Sequence, residues 1–265
     1  MERATTATRK KTGLRPRAYG GWMRVYDMIV DERHRTADML ATFTAGQLRR
    51  PSLCAGWTVH DIAAHLITFL RFGQLKLYLG ILATAADIDK VNLRLTRRAA
   101  MRPSGEIIEA LRRGADSRIT IPMSGYDPVL TDLMLHDLDI RTPLGIPRAT
   151  PEERLRVAFS HLTARPSPGF TMGSRLGGLR LVATDTGWTH GDGALVRGSA
   201  EALLLGMSGR TVAFGQLDGG GVPLLRRRVT SAPRPGAGRR LATVLAVLTS
   251  PPPAERRSRL AAGDH

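Results

Sequence analysis

The sequence predicts a mainly α protein, a bundle of four or five helices followed by a small α/β module. Three observations carry that expectation. Apolar residues recur at three- and four-residue steps through positions 21–164, between loops punctuated by Pro and Gly. After Pro166 the texture becomes Gly-rich and alternating, as in Leu179-Arg180-Leu181-Val182-Ala183. Both ends are basic and lack apolar periodicity. The expected units are a disordered basic arm (1–20), the helical bundle (21–164), the α/β module (165–228) and a mostly disordered basic tail (229–265).

In chain order, Val25, Met28, Ile29, Ala37, Leu40 and Phe43 outline a first helix over 21–45, with Asp31 to Arg35 as its solvated face. A loop over 47–56 leads to Thr58, which with Asp61 forms an [ST]-x-x-[DE] cap for a helix running to about residue 82. Ile62, His65, Leu66, Phe69 and Phe72 share its inward face. A polar helix is expected over 85–99, and another from a Ser104 cap to Arg113. Gly125-Tyr126-Asp127-Pro128 starts a helix with Val129, Leu133, His136 and Ile140 on one face, ended by Pro143 to Pro147. Thr150 and Pro151 cap a helix over 151–164. In the module, strands at 179–183 and 194–197 flank a Gly191–Gly193 turn. A helix from Ser199 to Met207 and a returning strand at 212–214 follow. The apolar octet 241–248 is the one tail segment able to form a helix.

The 265 residues carry a formal net charge of +16, which at first suggests a nucleic-acid partner. Its placement argues otherwise. Residues 1–18 hold +5 and residues 226–265 hold +7, leaving +4 for everything between. Basic tails add weak, salt-sensitive attraction to polyanions without defining a function, so no specific nucleic-acid partner is expected. No apolar run reaches the roughly 18 residues of a membrane span, and the N-terminus lacks the apolar core of a signal peptide. A cytoplasmic location with no membrane partner is the expectation. The single cysteine, Cys54, excludes an internal disulfide.

The chemistry-bearing residues are few. Asp132 and His136 stand at i, i+4 on one helix face. With His65 they offer two imidazoles and a carboxylate, a set that suits a divalent metal with an open position. His65 by itself reads equally as a hydrogen-bonded core histidine. Asp61 and Asp139 can each orient an imidazole through its second nitrogen; the plainer readings have Asp61 capping its helix and Asp139 pairing with Arg141. Cys54 precedes a helix start, where a thiol is activated or simply packs. Trp57 reads as a packing anchor and His190 as a turn residue. Arg197 and Arg210 flank the module's helix, where either one could meet an anionic substrate or form a surface ion pair.

Two stretches, CAGWTVHDIAAHL (54–66) and DLMLHDLDIRTPLG (132–145), together resemble the mycothiol-dependent maleylpyruvate isomerase family. The segment 178–210 is similar to that family's small C-terminal domain. The resemblance spans about 21–228 and implies a DinB-like four-helix bundle followed by a sterol-carrier-like α/β domain. It implies a divalent metal, zinc by preference, held by His65, Asp132 and His136. The family's glutamate falls on Asp132, one methylene shorter. It further implies the small thiol mycothiol as cosubstrate, a small-molecule substrate, and isomerase or S-transferase chemistry. A non-catalytic metal- or ligand-binding member of the same superfamily is the alternative.

Overall fold

The computed structural model describes residues 18–68, 70, 88–120, 125–147, 149–164 and 175–230. Helix α1 (Ala18–Ala41) opens the bundle. This helix ends at Ala41, short of the expected 45, and a separate single turn, α2 (Ala45–Leu48), follows under a Thr44–Gln47 capping box and runs into the stretch read as loop. The bundle is completed by α3 (Val59–Thr68), α4 (Ile88–Ala100), α5 (Ser104–Arg113), α6 (Asp127–Leu144) and α7 (Glu152–Thr163). Helix α1 packs on α5 and α6, while α3 packs on α4, α5 and α6. The expected continuation of α3 to about residue 82 and the octet 241–248 lie outside the described residues.

The α3 start has the predicted reciprocal cap. The Thr58 N–H donates to Asp61 Oδ2 (2.8 Å) and the Asp61 N–H donates to Thr58 Oγ1 (3.2 Å). Two other expected caps are replaced. Ser104 is the first residue of α5, with Pro103 at the cap position and no side-chain cap bond. Pro151 takes that place before α7, and the Thr150 hydroxyl donates to Glu201 in the small module instead. The Asp31–Arg35 stretch is solvated only in part, because α1 has neighbours beyond its apolar stripe. Glu32 and Arg33 are buried. Glu32 pairs with Arg154, and Arg33 Nη1 donates to the carbonyls of Ala115 (2.8 Å) and Ser117 (2.9 Å). Glu32 is thereby matched by an opposite charge and Arg33 by hydrogen bonds to carbonyls.

The small module has a three-stranded sheet of order β2-β1-β3. Strand β1 (Leu179–Ala183) runs antiparallel to β2 (Thr189–His190) and parallel to β3 (Ala194–Gly198). Ser199 caps α8 (Ala200–Met207) by accepting from the Ala202 N–H (3.2 Å). The strand expected at 212–214 is a 3₁₀ turn, Thr211–Gln216. The free edge of β3 is already taken. Arg197 and Asp218 exchange two backbone hydrogen bonds of 2.7 Å, and the Gly221 N–H donates to Leu195 O (2.7 Å). Glycine is required in this strap: a Cβ at Gly219 (φ 110°) would lie 2.3 Å from Leu195 O, and one at Gly221 would lie 2.5 Å from Ala194 O. A last helix, α9 (Val222–Thr230), buries Leu225 and runs into the segment read as tail.

The module sits against α6 and α7. Phe159 of α7 stacks on Trp188, with centroids 3.9 Å apart and planes 14° apart. Ile62, Leu135, Phe159, Leu181 and Leu203 belong to one continuous apolar cluster, so the module and the bundle share a core.

Candidate metal centre

Helix α6 organises the site. From Leu130 to Arg141 every residue except Asp132 is buried, so the helix is covered on more than the single face its apolar pattern outlines. Pro143 lies inside its last turn rather than ending it. Proline has no N–H, so the carbonyl four residues earlier, Asp139 O, loses its helical donor. The Leu53 N–H fills that place at 3.1 Å. The 51–58 loop is thereby pinned to α6, and it is closed on itself by Ser52 N–H to Trp57 O (2.9 Å) and Val59 N–H to Arg50 O (3.0 Å). This docking carries Cys54 and Trp57 to the site and aims α3, with His65, toward α6.

His65, Asp132 and His136 converge, with one ligand atom from each lying within 4.8 Å of the others. His136 Nε2 is 3.4 Å from Asp132 Oδ1, and His65 Nε2 is 3.8 Å from Asp132 Oδ2. The two rings meet edge to face with centroids 4.7 Å apart. Tetrahedral coordination with bonds of about 2.0–2.1 Å separates neighbouring ligand atoms by about 3.4 Å, so this spacing fits a metal's ligand set. The aspartate reaches despite its shorter side chain. The second nitrogens are engaged elsewhere. His65 Nδ1 lies 3.4 Å from Thr96 Oγ1 on α4, and its ring is edge-on to Trp57 (5.4 Å). His136 Nδ1 lies 3.0 Å from Asp139 Oδ2. An ionised carboxylate only accepts, so Nδ1 carries the proton and Nε2 is the nitrogen turned to the other ligands.

Asp139 is fully buried. Besides His136, its Oδ2 accepts from Arg210 Nη2 (2.7 Å) and from the Cys54 thiol (3.1 Å), and its Oδ1 accepts from Arg210 Nε (3.0 Å). Burial opposes ionisation of Asp139, but the hydrogen bonds from His136 and Arg210 and the Arg210 charge outweigh it and lower its pKa to about 2. For Asp132, desolvation is likewise overcome by the His136 charge and by bonds from both imidazoles, which hold it well below the usual carboxylate range. His136 is shifted upward: desolvation disfavours its charge, but Asp132, Asp139 and Cys54 more than compensate. A metal at Nε2 therefore competes with a proton there. Cys54, His136 and Asp139 form a second cluster with donor atoms within 4.8 Å. It is the poorer metal site, because Asp139 is already committed to Arg210 and His136 would have to present the nitrogen bonded to Asp139.

The remaining candidates separate cleanly. Asp61 caps its helix. Asp139 pairs with Arg210, not with Arg141, whose Nε donates to Asp137 Oδ2 (2.6 Å) and whose Nη2 donates to Glu201 (3.2 Å). Arg197 is exposed and paired with Asp218 (2.7 Å) on the module's surface. His190 stacks on Trp188 with centroids 6.0 Å apart. Thr96 is the contributor that sequence reasoning did not single out, and no local signal marks it.

Residues 29–120 match the family model described as the mycothiol maleylpyruvate isomerase N-terminal domain. This stretch is similar to that domain. The match contains His65 and stops before Asp132 and His136. The family resemblance extends to the fold. The crystal structure of the mycothiol-dependent maleylpyruvate isomerase is similar with a TM-score of 0.50 at 14% identity, covering 76% of this chain and 92% of that one. The structure of a histidine-to-alanine mutant of that isomerase, at 13% identity and the same coverages, has a TM-score of 0.47. No curated protein matches the sequence. The mainly helical bundle with a small α/β module is thus the isomerase fold. Among the described residues, no helix is long and apolar enough to cross a membrane.

Proposed function

We propose that this protein is a metal- and small-thiol-dependent isomerase or S-transferase, with its metal held by His65 Nε2, His136 Nε2 and the Asp132 carboxylate. The observation that carries this reading is the convergence of those three groups at separations of 3.4 and 3.8 Å, with the second nitrogen of each imidazole engaged elsewhere. When bound, a divalent ion with three protein ligands supplies an open position at which a thiol such as mycothiol is held as its more nucleophilic thiolate.

The chain's own residues do the rest. Asp139 keeps the Nδ1 proton of His136 and so its ring orientation. Trp57 packs against His65 and holds that ring from the loop side. Burial of both imidazoles excludes bulk water from the ligand atoms, while half-exposed Asp132 marks the side open to small molecules. A substrate for isomerisation by this route needs a double bond conjugated to an electron-withdrawing group. Thiol addition turns that bond into a single bond free to rotate, and elimination restores it with the thiol returned unchanged. In this reading the bundle (21–164) supplies the ligands and the module (165–228) braces them.

The test is elemental analysis of protein purified without added metal, comparing wild type with His136→Ala and with His65→Ala/His136→Ala. It is paired with a thiol-dependent isomerisation assay. Wild type should carry stoichiometric zinc and both variants should lose metal and turnover. Zinc retained in the double variant would sink the reading, and metal with no thiol-dependent turnover would favour the non-catalytic alternative.

A further inference from the structure

Arg210 belongs to the small module, yet its side chain ends inside the bundle. The chain turns there at Gly209 (φ 85°), just past α8, and the Arg210 N–H donates to Leu205 O (2.9 Å). Its guanidinium places Nε and Nη2 on the two oxygens of Asp139 (3.0 and 2.7 Å) and Nη1 on Ser208 O (3.1 Å). Two-point pairing of this kind fixes the plane of the carboxylate as well as its distance. Asp139 has no exposure to water and carries His136 on the same oxygen, so in the folded protein the guanidinium, not solvent, sets where that carboxylate lies.

We propose that Arg210 is a positioning residue: delivered by the docked small module, it locks the Asp139 carboxylate so that His136 turns Nε2 toward Asp132 and His65. This rests on the metal reading above and changes the role expected of Arg210. Its fork is spent on Asp139 and Ser208 rather than turned toward an anionic substrate. The small module then contributes to metal affinity without contributing a ligand, and Arg197, paired with Asp218 at the surface, contributes nothing.

Two measurements on the full-length protein test it. The first is zinc affinity by chelator competition for wild type, Arg210→Met, Asp139→Asn, the double variant and Arg197→Met. Loss of an outer partner of a ligating histidine typically weakens metal binding about 10–100-fold, and Arg210→Met should fall in that range while Arg197→Met stays at wild type. Because Arg210 acts through Asp139, the double variant should bind no more weakly than Asp139→Asn. The second is the Nδ1–H proton signal of His136 in metal-free protein, whose exchange with water should be faster in Arg210→Met. Zinc affinity within twofold of wild type together with an unmoved His136 signal overturns the proposal, as does an additive loss in the double variant. If Arg210→Met does not fold, the double variant against Asp139→Asn decides. If wild type binds no zinc, the metal reading fails, and the His136 signal alone decides the role of Arg210.

Discussion

Helix α6 carries two sets of polar residues, and they are built to different ends. On one side Asp137 and Arg141 pair at i, i+4 (2.6 Å), and Arg141 reaches on to Glu201 of the small module. On the other side Asp132, His136 and Asp139 gather with His65, and Arg210 comes across from the same module. Both sets cross between bundle and module, and both are largely buried. The first closes on itself, since every strong donor meets a carboxylate or carbonyl. The second leaves two ring nitrogens and a carboxylate converging on one point, with only a proton to reconcile them. A closed network holds a fold together, whereas the converging lone pairs are what the proposed metal site rests on.

The contrast is sharpest in Arg141→Met. It removes the guanidinium that pairs with buried Asp137 and should cost up to about 3–5 kcal/mol in urea unfolding, while the metal content of the folded fraction stays at the wild-type level. A matching loss of metal would merge the two sets into one. Asp132→Asn is the reciprocal change, keeping shape and removing charge. Zinc affinity should fall by more than the roughly 10–100-fold typical of an outer partner. Unfolding of the metal-free protein should move by only about 1 kcal/mol, because this side chain is 43% exposed.

A third prediction concerns pH. His161 on α7 is buried, and desolvation lowers its pKa from 6.5 to about 4. The unfolded chain then binds the proton more readily, so stability is full above about pH 6.5 and declines as pH falls toward 4. The total from this group is about 3 kcal/mol. His161→Gln should flatten that part of the stability-versus-pH curve, measured by urea unfolding between pH 7 and 4. An unchanged slope would move the acid sensitivity to the α6 networks. The smallest effect is expected from Arg197→Met. Its ion pair with Asp218 is exposed and screened by solvent, so the urea midpoint should not move measurably.

What was legible in the sequence follows the range of the interactions involved. The Thr58–Asp61 cap and the Asp132–His136 spacing lie within one helical turn, and both are found as read. Of the two readings of Asp139, the contact with an imidazole is found, whereas the pairing with Arg141 rests only on nearness in sequence. Residues two apart on a helix point away from each other, and i, i+4 spacing selects Asp137 instead. The true partner, Arg210, lies 71 residues downstream, and only the packing of the module on α6 brings it in. The consequence of Pro143 was hidden for a similar reason. A missing N–H is visible locally, but which distant donor takes the abandoned carbonyl is not. Residues 212–214 are a short apolar run that suits a strand, yet β3 has no edge left for them.

That occupied edge has a consequence for the protein in solution. A three-stranded sheet normally ends in a row of unsatisfied backbone groups that will pair with any passing strand, including its own copy in another molecule. Here the 218–221 strap seals that row, and it fits only because Gly219 and Gly221 have no side chain to strike the strand carbonyls. Those two glycines touch no candidate ligand. Their substitution would be felt first as edge-to-edge association between copies, before any change reaches the chemistry.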